Sequence, residues 1–329
     1  MPLINRCGGG GGTPQLCGQV ENFKASLGNL SATLSWTAPS PDEDNSFVGA
    51  RIVRKTGSAP TGINDGTIVY EGTALTYTDT GLTAGTTYYY RAFAYNAKKK
   101  YQTEYRVINK TAIAFNSNFA DNTWEQIMEA CQGGSVPDTW VAGDSKTMTI
   151  GGKSYQFDIV GKNHDTYTAG GIAPLTFGLH DCYGTKYPMN SSSTNSAGWD
   201  GSKMRTETLP AILAKMPENI QNSIRAVNKL TATNGLSSTI KTASDKLFTL
   251  SGMEVYGSAT LSHSGEGKQY DYYKAGNSKV KKVGGTASWW WLRSPRVNGS
   301  DLFCAVNTNG SIGVGFASDS QGVCFGFCF

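Results

Sequence analysis

The sequence predicts an α+β protein in two folded parts, an all-β sandwich over residues 18–115 and an α+β module over residues 116–329. Three observations predict it. The first third consists of short β-branched and aromatic runs, each ended by Gly, Pro, Asn or Asp. Past residue 116, helix-start signals stand among strand-like runs. A composition of 40 Gly with 11% aromatic and 16% charged residues belongs to a loop-rich folded chain, and 329 residues suffice for two or three domains.

Residues 1–17 contain the run Gly8 to Gly12, which has no side chains to bury and large backbone entropy, and read as a flexible leader. Strands are expected at Ala32–Trp36, Val48–Val53, Thr67–Tyr70 and Tyr88–Tyr95. The stretch Gly81-Leu82-Thr83-Ala84-Gly85-Thr86-Thr87-Tyr88 resembles the fibronectin type III signature. That resemblance makes Trp36 the tryptophan between the sheets, and gives the Tyr88 hydroxyl the task of tying down a backbone group. Lys98-Lys99-Lys100 reads as a solvated hairpin tip.

In the module, Asn122-Thr123-Trp124-Glu125 reads as a capping box opening a helix over Trp124–Cys131. Strands are expected at Lys146–Ile150 and Ser154–Val160. A second helical zone is expected over Ser202–Leu230, with Pro217 at a helix start and Ile220, Ile224 and Val227 on one face.

The last 40 residues carry the functional signal. They open on Trp290-Trp291-Leu292-Arg293-Ser294-Pro295 and close on Gly322-Val323-Cys324-Phe325-Gly326-Phe327. Between these blocks, small or apolar residues (Phe303, Cys304, Val306, Gly310, Ala317) alternate with side chains of no common chemistry. Arg296, Val297, Asn298, Asp301, Leu302, Ala305, Ile312, Val314, Phe316 and Asp319 form that irregular set, extended by Ser300 and Ser318. A core would make these positions apolar and an ordinary loop would make them Gly, Asn, Ser or Asp. Arbitrary side chains on a fixed frame describe a binding surface, with Phe316, Leu302 and Ile312 as its apolar centre and Arg296 and Asp301 at its margin.

The two flanking blocks resemble the C-terminal module of variable proteins made by diversity-generating retroelements. Gly198-Trp199, Met204-Arg205, Asp245–Ser251 and Glu254–Gly257 also match that family's constant scaffold. The resemblance implies a C-type-lectin-like fold for residues 116–329, with a variable segment at about 294–321. It implies that Trp290, Trp291 and Phe303 are framework and that Arg293 is a buried hydrogen-bond hub. Diversification at adenines of Asn codons leaves a pyrimidine in the third position, which excludes Lys, Glu, Gln, Met and Trp. Those five types make up 53 of the 329 residues, yet none occurs from Arg296 to Ser320.

Other chemistry finds little support. A net charge of +4 gives no footprint for nucleic acid, and no apolar run reaches membrane-spanning length, so membrane insertion is not expected. The N-terminus lacks the apolar region of a secretory signal, which points to synthesis in a reducing cytoplasm. Seven Cys (7, 17, 131, 182, 304, 324, 328) include no CxxC pair. His164, His180 and His263 fall in no metalloprotease or hydrolase motif. Asp301 and Asp319 stand alone where calcium would need converging oxygens. No metal, cofactor or enzyme activity is expected.

The reading is a diversified receptor-binding protein of the phage tail-fibre or tail-tip type, placed on the virion or on a bacterial surface. Its ligand would be a host cell-surface protein or glycan, bound non-covalently. The N-terminal part would join other tail or surface proteins, and a homotrimer would add avidity. The alternatives are a glycan-binding module built on Trp289, Trp290 and Trp291, and an enzyme on the same scaffold.

Overall fold

The computed structural model describes residues 18–39, 47–102 and 106–329. The expected leader, with Cys7 and Cys17, lies outside them. The chain divides into two compact units on either side of the Phe115–Asn116 bond.

Among the described residues the first unit has seven strands: β1 (Glu21–Gly28), β2 (Ser31–Thr37), β3 (Phe47–Thr56), β4 (Thr67–Gly72), β5 (Thr76–Thr80), β6 (Thr87–Asn96) and β7 (Arg106–Thr111). They form two antiparallel sheets, β1-β2-β5 and β4-β3-β6-β7, a fibronectin type III-like sandwich. In β2 the alternation of the sequence is the alternation of burial, with Ala32, Leu34 and Trp36 turned inward. Trp36 packs edge-on to Phe23 and tilted against Tyr70. The Tyr88 hydroxyl accepts a hydrogen bond from the Thr83 N–H at 3.1 Å. Sequence patterning missed β1, β5 and β7, which lie at sheet edges and are largely polar on their exposed side, as edge strands tend to be.

The second unit begins with α1 (Trp124–Gln132), followed by β8 (Ser145–Ile150), β9 (Lys153–Lys162) and β10 (Leu175–Leu179). The cap of α1 falls one residue later than the sequence suggests: Thr123 accepts from the Gln126 N–H, and Gln126 reaches back to the Thr123 N–H. Threonine followed three residues on by glutamine satisfies the same two orphan donors. A π-helical turn (Met204–Thr208) leads into α2 (Leu209–Leu213), and α3 (Glu218–Ser223) starts after Pro217.

The expected helical zone to Leu230 is corrected here. It ends at Ser223, and Val227 opens a hairpin of β11 (Val227–Asn234) and β12 (Ser237–Asp245). Val227, Lys229 and Thr231 are buried on one side of β11, a period of two that overrides the helical spacing of Ile220, Ile224 and Val227.

The rest is β13 (Phe248–Thr249), α4 (Gly252–Tyr256), α5 (Asp271–Lys274), β14 (Lys281–Val283), β15 (Thr286–Ser288), β16 (Trp290–Pro295), β17 (Leu302–Val306), β18 (Ile312–Phe316) and β19 (Phe325–Cys328). The described structure is mostly sheet, and its longest helix, α1, has 9 residues. The main sheet runs β13-β19-β10-β9-β8, so the last strand lies inside it and not at an edge. Trp124 of α1 meets Phe177, Phe327 and Phe329 within ring-contact distance over this sheet. A separate three-stranded sheet, β16-β17-β18, carries the segment with the irregular side chains. No helix among the described residues is long and apolar enough to cross a membrane.

Candidate binding face on the C-terminal sheet

Cross-strand register sorts the residues of the β16-β17-β18 sheet onto two faces. Leu302 pairs with Phe316, Cys304 with Val314 and Val306 with Ile312, so these six share one face. Phe303 pairs with Gly315 and Ala305 with Gly313, on the other. Trp291 pairs with Ala305, which puts its ring on that second face. A Cβ on Gly313 would fall 2.5 Å from the Trp289 ring, and one on Gly315 would fall 2.8 Å from the Trp291 ring. The Ile312-Gly313-Val314-Gly315-Phe316 alternation therefore has a physical cause. Glycine points down where two indoles leave no room, and the side chains between point the other way.

The downward face is buried. Trp291, Phe303 and Ala305 on it are fully inaccessible. Trp290 donates its indole N–H to the Lys279 carbonyl at 2.9 Å, and Trp291 donates to the Tyr187 carbonyl at 2.8 Å. On the other face Cys304, Val306 and its partner Trp290 are fully buried, Leu302, Ile312 and Val314 are half-buried, and Phe316 is 49% exposed. The structure thus brings together Leu302, Val314 and Phe316, and adds Ile312 at the end where the sheet meets α4.

One residue of the expected contact set is corrected. Ala305 is fully buried, because it belongs to the glycine–tryptophan face, between Trp291 and Gly313. The turns supply the remainder. Arg296 and Val297 are half-buried, and Asn298 and Ser300 are exposed. Arg296 donates to the Asn298 carbonyl at 3.1 Å. Asn298 takes a left-handed φ of 59°, a conformation asparagine tolerates better than most residues. Asp301 accepts the Ala317 N–H through its carbonyl at 2.8 Å. Asp319 accepts from the Phe316 N–H at 3.1 Å, and the Ser318 hydroxyl shares a 2.6 Å hydrogen bond with Ser193. Asp319 and Ser318 therefore brace the turn after β18 as well as facing solvent.

Two residues that sequence reasoning passed over complete the face. Asn195 is fully buried and pins the 296–302 turn from below. Its amide donates to the Gly299 and Leu302 carbonyls at 2.8 Å each, and its oxygen accepts the Gly235 N–H at 3.2 Å. Nothing in the polar stretch Ser191–Ser196 distinguishes this asparagine. Leu236, 71% exposed, sits at the tip of the β11–β12 hairpin. That tip is pressed against the turn: a Cβ on Gly235 would lie 1.9 Å from the Gly299 carbonyl oxygen. The Asn234-Gly235 pair between alternating runs is a hairpin signal that could have located it.

Asn195→Ala should remove three side-chain hydrogen bonds, taking from the Gly299 carbonyl and the Gly235 N–H their amide partner, at about 2–3 kcal/mol. Urea unfolding would show that loss, and hydrogen exchange should quicken at the Gly235 amide. Unchanged exchange at Gly235 would remove Asn195 from the role of pin.

Around Arg293 lies a buried ionic cluster. Arg293 of β16 forms a two-pronged pair with Glu254 at 2.5 and 2.9 Å, and donates to the Thr249, Leu230 and Glu266 carbonyls. Lys229 bridges Glu254 at 2.6 Å and Asp165 at 2.7 Å. Burial alone would raise the Asp165 carboxyl, but Lys229, with nearby His164 and a hydrogen bond from Thr176, outweighs it and holds the group below the usual carboxylate range. Glu254 is likewise lowered against the effect of burial, by Arg293 and Lys229. Glu266 goes the other way, pushed up by burial, with one carboxyl oxygen lacking a partner.

A cleft of about 380 Å³ opens over this cluster, lined by His164, Asp165, Asn228 and Glu254 among others. Both carboxylates in it are engaged with cations. His180 pairs with Asp158 at 2.8 Å, but Cys182, two residues on, turns inward to Cys324. Burial raises the thiols of Cys131, Cys304, Cys324 and Cys328, so none is an activated nucleophile. Among the described residues no group of three or more His, Cys, Asp or Glu could hold a metal ion.

Residues 175–328 match a family described only as a domain of unknown function, DUF6273. Among solved structures, the chain is similar to a fibronectin type III domain of human fibronectin type III domain containing protein 3, at 18% identity over 34% of this chain and 100% of that one, TM-score 0.27. It is similar to the FN5 domain of Drosophila Lar at 19% identity, over 30% of this chain and 98% of that one, TM-score 0.22. No curated protein matches the chain.

Proposed function

We propose that the 116–329 unit is a C-type-lectin-like variable module of the diversity-generating-retroelement type, and that the outward face of β17 and β18, with the 296–301 and 317–320 turns, binds a ligand on a host cell surface. The observation that carries this reading is the separation of faces. The irregular side chains Leu302, Val314 and Phe316 share one side, while the residues that hold the sheet (Trp291, Phe303, Gly313, Gly315) share the other. Such a sheet accepts side-chain changes at Leu302, Val314 and Phe316, while Trp290, Cys304 and Val306 on the same side stay buried as framework.

The exposed Phe316 and half-buried Leu302, flanked by Arg296 and Asp301, suit a protein epitope, bound non-covalently and without a cofactor. The fibronectin type III-like unit serves as a spacer. This is the architecture of a receptor-binding protein of a phage tail, or of a bacterial surface adhesin. Trp290 and Trp291 are fully buried, so a sugar-stacking platform would have only the half-buried Trp289 to work with. The protein-recognition reading is preferred for that reason.

The test is deep sequencing of the 3′ end of the gene in a population grown from one clone. The expected result is substitution confined to codons between about Ser294 and Gln321, at positions matching adenines of a near-identical template repeat, with the codons of Trp291, Phe303, Gly313 and Gly315 unchanged. An invariant segment with no such repeat nearby would overturn the diversification reading.

A further inference from the structure

Cys182 and Cys324 lie 142 residues apart in sequence, and their sulfurs stand 3.1 Å from each other in the interior. Both are among the free buried cysteines. The backbone puts them there. The Tyr183 N–H donates to the Val323 carbonyl at 2.8 Å, so the two segments run side by side with Cys182 opposite Cys324. Directly opposed positions of an antiparallel pair have Cα atoms about 4.5–5.5 Å apart, within the range a disulfide spans. Gly322 clears the space, since a Cβ there would lie 2.5 Å from the Cys182 sulfur. Closing to a bond of about 2.05 Å requires an approach of only about 1 Å.

We propose that Cys182 and Cys324 are a modification site that closes to a disulfide by exchange with a small-molecule disulfide once the protein leaves a reducing compartment. One cysteine thiolate attacks the small-molecule disulfide, giving a mixed disulfide and releasing one thiol. The second cysteine thiolate then displaces the other half. Two cysteine thiols lose two protons and two electrons, and one disulfide is reduced to two thiols.

The bond ties the segment before the π-helical turn to the residues that lead into β19. It encloses the β11–β12 hairpin and the whole β16-β17-β18 sheet in one loop. Loops of that length give a large constraint on the unfolded chain. Burial keeps the Cys324 thiol protonated, so the native protein exchanges slowly and the bond forms most readily during folding or at alkaline pH. The inference does not depend on what the outward face binds.

The test uses the full chain, refolded from urea either in a glutathione redox mixture or in excess reductant. Non-reducing peptide mapping should find the Cys182 peptide joined to the Cys324 peptide in the first sample only. The oxidised protein should melt about 5–10 °C higher than the reduced one, and the Cys182→Ser/Cys324→Ser double variant should lose that difference. Free Cys182 and Cys324 after refolding in the redox mixture, or either one joined to a different cysteine, would overturn the proposal. So would an equal rise in the double variant, since Cys7 and Cys17 remain available in both proteins.

Discussion

Arg293→Met is expected to destabilise the 116–329 unit by about 3–5 kcal/mol, because it leaves Glu254 buried with half its partners gone. Urea unfolding followed by tryptophan fluorescence is the appropriate readout, since six of the seven Trp lie in that unit. Methionine fills a similar space without the guanidinium, so the loss reports charge and hydrogen bonds more than a cavity. Five acceptors meet Arg293: the carbonyls of Leu230, Thr249 and Glu266 and both Glu254 oxygens. Glu254 is at the same time the third residue of α4, where it closes the capping box with Ser251. One side chain therefore joins β16 to α4, β13 and β11. Adding Glu254→Gln to Arg293→Met should cost clearly less than the sum of the two single changes, as expected of partners in one network. Additive losses would mean that the pair is not the unit the geometry describes.

That cluster also marks where sequence reading stopped. Arg293 could be named a hub from its place beside two tryptophans, but its partners could not. Lys229 was placed in a helix, and Asp165 and Glu254 lie far from it in the chain. Periodicity reports which side of an element is apolar, and a buried charge network runs against that signal. The same holds for β11, where Lys229 and Thr231 occupy inward positions that an apolar count treats as outward. By contrast, the sandwich strands with alternating burial, such as β2, and the Thr123–Gln126 start of α1 rest on local chemistry. They could be read to within a residue or two.

The face itself was half legible. That Ile312, Val314 and Phe316 alternate with glycine is plain in the chain. That Ala305 belongs with the glycines follows only from register, because the pairing of β17 with β18 decides which side each residue takes. Asn195, 104 residues from Gly299, and Leu236 enter the site from distant segments, through contacts that no local pattern records.

The contrast between two substitutions on neighbouring strands tests the separation of faces directly. Trp291→Ala should destabilise the unit by about 3–5 kcal/mol, the usual range for removing a fully buried tryptophan. It empties the space under Gly315 and leaves the Tyr187 carbonyl without its indole donor. Phe316→Ser combined with Leu302→Ser should cost far less, about 1–2 kcal/mol, since Phe316 is half in solvent and the pair contributes mainly its cross-strand contact. Filling the glycine side should be as damaging as emptying the tryptophan side: Gly315 carries no Cβ because the Trp291 ring occupies that volume. A steep loss from the Phe316 and Leu302 pair, equal to that from Trp291, would place them in the core and sink the binding-face reading. Unequal losses in the expected order would mean that the fold of this sheet is held from beneath. Leu302, Val314 and Phe316 are then free to vary with whatever they meet.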